Sequence, residues 1–179
     1  MTITEVARIV PAGNWQADRV HSSLGFTVRH MDVLPFDGGF ADFEAELREG
    51  RITGTARVES IAAADENLTA HLLSPEFFDA ERHPELRFVS NALRRDADEV
   101  VVVGDLTVKG QTRPVELRGT VGEPVEDPYG SRRLGIELTT TIDRTDFGLD
   151  WQAELPSGGQ VVANDVTITA RLELVEESG

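Results

Sequence analysis

The sequence predicts an all-β protein, an antiparallel barrel or sandwich of roughly eight strands with one short helical insert. Apolar and polar residues alternate with a period of two in most segments, which is typical of strands with one buried face. Short connections containing glycine separate several of these segments, as in β-hairpins. Only one region in the middle of the chain has helical signals. With 179 residues and no linker-like stretch, the chain is expected to form a single domain over 1–179, with its core at about 14–175.

The first clear strand covers residues 23–30, where every second side chain is apolar. Two histidines, His21 and His30, bracket this segment, and Asp18 precedes it. Such a strand combines a buried face with polar groups at its ends. This combination fits either catalytic residues at the mouth of a barrel or a polar lock, that is, polar residues that close a ligand cavity. The rest of the chain favours the polar lock.

The next two strands are predicted to form a hairpin. Residues 41–47 and 52–58 alternate in the same way and flank the turn Glu49-Gly50-Arg51. Glycine in so short a connection supplies the backbone conformations that tight hairpin turns require.

The helical signals lie between residues 67 and 83. Residues 67–74 are predicted to form a short helix. Ser74-Pro75-Glu76 predicts the start of a second one, because serine is a good N-cap and proline is favoured at the first helical position. His83-Pro84 would end that helix.

The remaining strands follow this insert. Lys109-Gly110-Gln111 predicts a tight turn between two of them. A barrel of about eight strands has an interior that is either filled by side chains or holds one small ligand. The predicted strands cover 86–90, 100–108, 112–121, 134–142 and 166–174.

Composition excludes several classes of function. A formal net charge of −15 argues against nucleic-acid binding and against broad electrostatic docking to membranes. The absence of cysteine excludes disulfides, thiolate nucleophiles and cysteine-ligated metals. The longest apolar run, residues 100–103, is too short for stable membrane insertion. Residues 1–8 lack the pattern of a secretory signal, so a cytoplasmic location is expected; the alternative is a periplasmic or extracellular protein whose signal has been removed.

Catalytic and metal sites have little support. The four histidines lack the spacing of a zinc motif, so no metal is expected. His21 and Ser22 are neighbours on an extended chain, so their side chains point to opposite faces, and no G-x-S-x-G motif is present. We therefore expect no catalytic residues and no enzymatic activity. A hydrolase or isomerase that uses His21 or His30 with Asp18 is the alternative.

Six blocks of residues together resemble the YceI-like family, and the match covers nearly the whole chain. Their order and spacing carry the resemblance. They are Asp18-x-x-His21-Ser22-x-x-x-Phe26-x-Val28-x-His30, Phe36-x-Gly38-Gly39-Phe40, Leu72-x-x-x-Glu76-Phe77-Phe78-Asp79, Pro84-x-Leu86-x-Phe88-x-Ser90, Gly104-x-Leu106-Thr107-x-Lys109-Gly110-x-Thr112-x-Pro114-Val115 and Arg144-x-x-Phe147-Gly148.

The resemblance implies a lipocalin-like antiparallel barrel with an elongated apolar cavity. Such a cavity binds a polyisoprenoid chain, such as an isoprenoid quinone or a polyprenyl phosphate. Members of the family resemble carriers or sequestering proteins, and some form homodimers. A homodimer and an isoprenoid lipid are therefore the expected partners, and no cofactor other than that lipid is expected. The alternative is a barrel filled by side chains whose acidic face binds a basic protein.

The strand phases give candidate ligand-binding residues. An anionic headgroup would need local positive charge, although for Arg144 an ion pair with Asp143 or Asp146 is the stronger expectation. The expected lining residues are Leu24, Phe26, Val28, Phe43, Ile136, Leu138, Ile168 and Leu172; those of the gate region are Phe77, Phe78 and Phe88; those near a headgroup are Arg29, His30, His83 and Arg144.

Overall fold

The computed structural model describes residues 9–179 and confirms the predicted fold class. Within these residues, strands form a closed eight-stranded antiparallel barrel accompanied by one short α-helix. Residues 1–8, on which the expectation of a cytoplasmic location rests, lie outside the described part of the chain. No helix that the structure describes is long and apolar enough to cross a bilayer.

The elements follow one another with short connections. Two 3₁₀ turns accompany them, at Val58–Ser60 and Arg144–Phe147. The strands are β1 (Asn14–Ala17), β2 (Ser23–His30), β3 (Leu34–Phe40), β4 (Phe43–Arg48), β5 (Arg51–Arg57), β6 (Ile61–Ala62), β7 (Glu85–Asp96), β8 (Glu99–Val108), β9 (Gln111–Val121), β10 (Val125–Glu126), β11 (Arg132–Asp143) and β12 (Val162–Glu176), and the helix is α1 (Glu66–Leu73).

Eleven of the twelve described strands occupy the eight positions of the barrel, because three positions hold two short strands in succession. Strands β1 and β2 both pair with β12, one after the other along its edge. Strands β3 and β4 follow the same path in the next position, and β5 and β6 in the one after that. The short β10 lies outside the ring, against β11. Pairing of β11 with both β9 and β12 closes the ring.

The two ends of the barrel differ. Strand β9 pairs with β11 only between residues 118–121 and 136–139, although both strands continue beyond this stretch. Strand β3 pairs with β6 only through Gly39 and Phe40. At one end the barrel therefore separates into two sheets, which we call leaf A (β11, β12, β2 and β3) and leaf B (β5, β7, β8 and β9). We call this the open end and the opposite one the closed end.

The prediction of a second helix after Ser74 is wrong. Residues 75–82 form a succession of turns. The backbone N–H groups of Phe78 and Ala80 donate to the carbonyls of Leu72 and Leu73, so the chain folds back onto the last turn of α1. Asp79 adopts a left-handed conformation with a φ of 51°, which a helix does not accommodate.

The main core fills the closed end. Trp15, Leu47, Leu134 and Leu174 are at most 1% exposed and belong to one apolar cluster. Removing each such side chain from water contributes about 1.5–3 kcal/mol, so this half of the barrel carries most of the apolar stabilisation. A smaller cluster lies at the open end, where Val108 packs with Phe147 and Leu149.

Candidate functional site

The inner face of leaf A changes from buried to partly exposed toward the open end. Strands β11, β12 and β2 are in register, so their inward side chains form levels across the leaf. Ile136 and Leu172, near the closed end, are buried. Every side chain of the last two levels is partly exposed. The levels beyond Ile136–Leu172 are Leu138–Ala170–Leu24, Thr140–Ile168–Phe26 and Ile142–Val166–Val28.

This wall consists mainly of apolar side chains, yet it lies on the inside of the fold. Residues such as Ile168 and Val28 have the inward direction of core residues, but belong to neither apolar cluster of the described chain. Contiguous accessible apolar surface in a concave position is typical of a ligand site. We therefore take the space between the leaves as the candidate site and call it the cleft.

Two phenylalanines lie flat against the walls of the cleft. A methyl group on Gly38 of leaf A would lie 2.3 Å from Cζ of Phe26, and one on Gly104 of leaf B would lie 2.6 Å from Cζ of Phe88. Each ring therefore covers a glycine on the neighbouring strand. Because these glycines lack side chains, the rings lie along the sheets rather than across the cleft.

Phe78 packs against leaf A of the cleft. Its ring contacts Phe40 edge to face, with centroids 6.0 Å apart, and Phe40 in turn lies 5.9 Å from Phe26. Phe78 also packs against both apolar clusters. A role of Phe78 in the gate region remains a prediction. The alternation signal at Phe36–Phe40 was present in the sequence, but it did not single out Phe40.

At the open end, an aromatic contact joins α1 to the loop 148–161, and we call these two segments the cover. The His71 ring in α1 meets Phe77 and Trp151 edge to face, with centroid distances of 4.9 and 4.8 Å. His71 Nε2 lies 3.0 Å from a carboxylate oxygen of Glu76. These contacts fix α1 to the loop 148–161. Trp151 lies in an irregular loop, where no periodic signal identified it in advance.

A lysine connects this cover to the barrel. Lys109, in the turn between β8 and β9, donates from Nζ to the carbonyl oxygens of Pro75 and Gly148, at 3.0 and 3.3 Å. The turn segment after α1 and the 3₁₀ turn before the loop are thereby held to the same hairpin. The sequence predicts that Lys109 lies in a turn, but it gives no indication of these side-chain contacts.

The expected lining residues divide into two groups. Leu24, Phe26, Val28, Phe78, Phe88 and Ile168 are partly exposed toward the cleft, whereas Phe43, Phe77, Ile136, Leu138 and Leu172 are buried. For the buried residues, a contact with ligand would require the cleft to extend toward the closed end. No measurement yet tests either group, so both remain predictions.

Arg144 is buried, at 3% exposure, and bonds to backbone rather than to a carboxylate. Its Nε donates to the Ala163 carbonyl at 2.9 Å, and its two Nη atoms donate to the carbonyls of Leu149 and Val162. The expected ion pair with Asp143 or Asp146 does not form within residues 9–179. Burial lowers the pKa of Arg144, while the nearby charge of Asp143 opposes this shift.

The other expected headgroup residues differ in their exposure to water. Arg29 and His30 are exposed at the end of β2, and the Arg29 guanidinium donates to the Asp32 carbonyl. His83 is partly buried against the Lys109–Gly110 turn. The structure does not test their contact with a headgroup, which remains a prediction.

Asp18 and His21, at the start of the first block, lie away from the cleft. At the bend between β1 and β2, His21 Nδ1 is 2.8 Å from Asp18 Oδ2, and Arg133 Nη1 is 2.9 Å from the same oxygen. Arg133 also contacts Asp127 and Glu173. This network, which we call the bend cluster, ties the bend to the outer surface of β11 and β12. It lies toward the closed end and on the outer surface, so it does not form the polar lock on a ligand cavity that was expected of these residues.

The bend cluster does not assemble a hydrolase. Ser22 Oγ accepts a hydrogen bond from the Glu173 backbone N–H at 3.0 Å and is therefore engaged with β12. His30 pairs with Val162 whereas Asp18 lies beside Glu173, a separation of about 35 Å along β12 at the rise of a strand. Ser22, His21 and Asp18 of the described chain therefore do not form an arrangement of nucleophile, base and orienting acid.

The bend cluster also contains three potential metal ligands. The ligand atoms of Asp18, His21 and Glu173 lie within 4.8 Å of one another. However, Arg133 Nη1 contacts both carboxylates, at 2.9 and 3.0 Å. A cationic side chain therefore already stands where a metal ion would bind.

A surface groove of about 520 Å³ lies beside the bend cluster. Its lining combines apolar residues, among them Ile136 and Leu172, with charged residues such as Glu137 and Arg171. This mixed, charged surface differs from the apolar wall of the cleft. We therefore assign the ligand site to the cleft and not to this groove.

The bend cluster predicts a pH dependence of stability. The hydrogen bond to Asp18, together with the negative charges of Asp18 and Glu173, raises the pKa of His21 above its ordinary value of 6.5. His21 and Arg133 lower the pKa of Asp18 below its ordinary 3.8. The contribution of His21 is complete below pH 6.5 and is lost as the pH rises through the raised pKa. The contribution of Asp18 is present above pH 3.8 and is lost on acidification.

We therefore expect the melting temperature to fall between pH 6 and pH 8, and to fall less in His21→Gln. Thermal melts of both proteins at matched ionic strength measure the difference. Because the pair is exposed, the effect will be small and will shrink in high salt. Identical pH profiles would contradict the assigned contact.

Comparison with known proteins gives a consistent match. A family model described as the YceI-like domain matches residues 15–174. A UPF0312 protein of Staphylococcus aureus (strain MSSA476) is 33% identical over 172 residues, covering 89% of this chain and 96% of that protein. A UPF0312 protein of Pseudomonas putida (strain GB-1) is 33% identical over 129 residues, covering 72% of this chain and 67% of that protein.

Two solved structures share the fold. Burkholderia cenocepacia BcnA superposes with a TM-score of 0.75 at 23% identity, covering 90% of this chain and 99% of that one. A polyisoprenoid-binding domain from Saccharophagus degradans, implicated in plant cell wall breakdown, superposes with a TM-score of 0.69 at 12% identity, covering 92% and 98%.

Proposed function

The chain belongs to the YceI-like family, and on this premise we propose that it is a binding protein that holds the apolar chain of an isoprenoid lipid between leaf A and leaf B. The observation that carries the proposal is the apolar inner face of β11, β12 and β2, which becomes partly exposed toward the open end. The polyisoprenoid-binding domain that shares this fold supports the choice of ligand class.

The physical basis is burial of the lipid chain. An isoprenoid gains about 25 cal/mol for each Å² of apolar surface that leaves water, so affinity requires few polar contacts. The flat placement of Phe26 and Phe88 leaves the space between the leaves for a narrow chain. Phe78 packs against both apolar clusters and would have to move for a ligand to enter between the leaves, as a gate does.

An isoprenoid quinone suits the open end better than a polyprenyl phosphate. The buried cation there, Arg144, already donates to three backbone carbonyls. Arg29 and His30 are exposed to water and the protein carries a net charge of −15, so an anionic headgroup meets little concentrated positive charge. We propose reversible sequestration or transfer of such a lipid as the role, with no chemical step.

Filling the cleft tests the proposal. We expect Ile168→Trp to weaken binding of an isoprenoid quinone by about tenfold or more, because the added ring occupies the space between the leaves. Since Ile168 is partly exposed, the melting temperature is expected to change little. Quenching of intrinsic tryptophan fluorescence by added quinone, with calorimetry as a second readout, measures the affinity.

The matched control is Thr169→Leu, one residue along β12 on the opposite face. It also replaces a side chain of β12 by a larger apolar one, and it should leave the quinone affinity unchanged. Phe78→Ala should weaken binding more than it lowers stability. If Ile168→Trp binds quinone as the wild type does, the chain does not lie between the leaves. If the wild type binds none, the filled barrel that recognises a basic protein becomes the better explanation.

A further inference from the structure

The tip of the β2–β3 hairpin exposes large apolar side chains. Met31, Val33 and Leu34 are 40%, 77% and 67% exposed. Met31 and Asp32 adopt left-handed conformations, with φ values of 54° and 57°, so the turn is tight and its side chains project outward. Turns of this kind usually carry glycine, asparagine or aspartate. We call residues 31–34 the apolar tip.

The apolar tip belongs to the rim of the cleft. The Met31 N–H donates to the Val161 carbonyl at 2.7 Å, and His30 pairs with Val162 at the start of β12. Gly159, in the loop that carries Trp151, lies beside the Asp32 carboxylate. The tip therefore stands next to the level Ile142–Val166–Val28, where the inner face of leaf A is partly exposed.

Strand pairing with a second copy does not explain the tip. Within the described chain, β3 has no partner on its outer edge from Leu34 to Gly38. This edge contains Pro35, which lacks an N–H group, and the exposed Asp37, which accepts a hydrogen bond from Thr27. Proline and charge are the usual features that prevent edge-to-edge association.

We propose that the apolar tip inserts into the surface of an uncharged lipid bilayer and places the open end of the cleft against it. This inference rests on the proposed function, because a ligand that is itself insoluble resides in a bilayer. A protein with a net charge of −15 is repelled by anionic lipids, so the surface is zwitterionic. At the tip, the charge of Arg29 is offset by that of Asp32, so residues 29–34 carry no net positive charge for acidic headgroups. Contact is then weak and reversible, as three apolar side chains permit.

Flotation with phosphatidylcholine vesicles tests the proposal. The test variant combines Val33→Ser and Leu34→Ser, and the control combines Val125→Ser and Tyr129→Ser, whose side chains are 66% and 92% exposed in the β9–β11 connection at the closed end. We expect the test variant to lose about fivefold or more of vesicle binding, and the control to lose none. Replacing part of the phosphatidylcholine by phosphatidylglycerol should weaken binding of the wild type.

The readouts separate this inference from the proposed function. Flotation uses vesicles without quinone, whereas quinone delivered from ethanol measures the cleft alone. Loss of flotation with unchanged quinone affinity supports the apolar tip as the bilayer contact. Equal flotation of the test and control variants overturns it. Sedimentation in which the wild type self-associates and the test variant does not would also overturn it, since the tip would then contact a second copy.

Discussion

Gly119→Ala is expected to lower the free energy of unfolding by about 3 kcal/mol, at the upper end for an overpacked site. A methyl group on Gly119 would lie 1.8 Å from the carbonyl oxygen of Glu137 and 2.8 Å from its carbon. These are backbone atoms of β11, so the clash can be relieved only if β9 and β11 move apart. The short pairing that closes the barrel includes Gly119 opposite Leu138.

The matched control for this change is Gly135→Ala on β11. A methyl group there meets no atom of the described chain within 4 Å. Since alanine also restricts the unfolded chain more than glycine does, the control should be as stable as the wild type or slightly more so. Urea unfolding of the three proteins measures the difference. Equal stability of the two variants would show that β9 and β11 do not approach as closely as described.

Arg144→Met is expected to cost a similar amount, about 3 kcal/mol or more. The substitution removes the guanidinium donors to the carbonyls of Leu149, Val162 and Ala163, of which only Val162 keeps another side-chain donor within the described chain, Gln152 Nε2. A buried carbonyl left without a donor costs about 1–3 kcal/mol, and the affected carbonyls share one site, so the losses do not add fully. Arg144→Lys keeps the charge but not the forked geometry, and we expect an intermediate loss.

The readout is urea unfolding combined with hydrogen exchange in the loop 148–161. Arg144 bonds to both ends of this segment, so the exchange rates there should rise in Arg144→Met. The control is Arg171→Met on β12, whose exposed side chain has one ion pair, with Glu137 at 3.5 Å. Its loss should change stability little. An effect of Arg144→Met no larger than that of the control would mean that Arg144 does not hold the loop.

Much of the fold follows from alternation along the chain. The phase of β11 places Leu134, Ile136 and Leu138 inward, and all three are buried, while Gly135 and Glu137 are exposed. The succession of β1 and β2 along one edge of β12 did not follow from this pattern. Alternation fixes which face of a strand is apolar, but it does not identify the partner of that strand.

The limits of the candidate site could not be read from the sequence for the same reason. Leu138 and Ile168 have the same apolar, inward pattern, yet one is buried and the other is partly exposed. The difference arises where β9 stops pairing with β11, which is a property of two strands together. Likewise, Ser74-Pro75 is a sound signal for a helix start, but bonds from Phe78 and Ala80 back to α1 override it.

The partners of charged residues were the least predictable feature. Asp143 and Asp146 stand beside Arg144 in the chain, so an ion pair was the simple expectation. The guanidinium instead reaches carbonyl groups nearly twenty residues away at the start of β12. Arg133 entered the bend cluster without any sequence signal, since its contact with Asp18 spans 115 residues.

Native mass spectrometry of the purified protein, followed by organic extraction and identification of the extract, tests the central claim most directly. The proposed function predicts one isoprenoid lipid per chain, retained in the wild type and depleted in Ile168→Trp. A protein that carries no lipid, and that also fails to take up added isoprenoid quinones and polyprenyl phosphates, would contradict it. The space between the leaves would then have to be closed by side chains in solution.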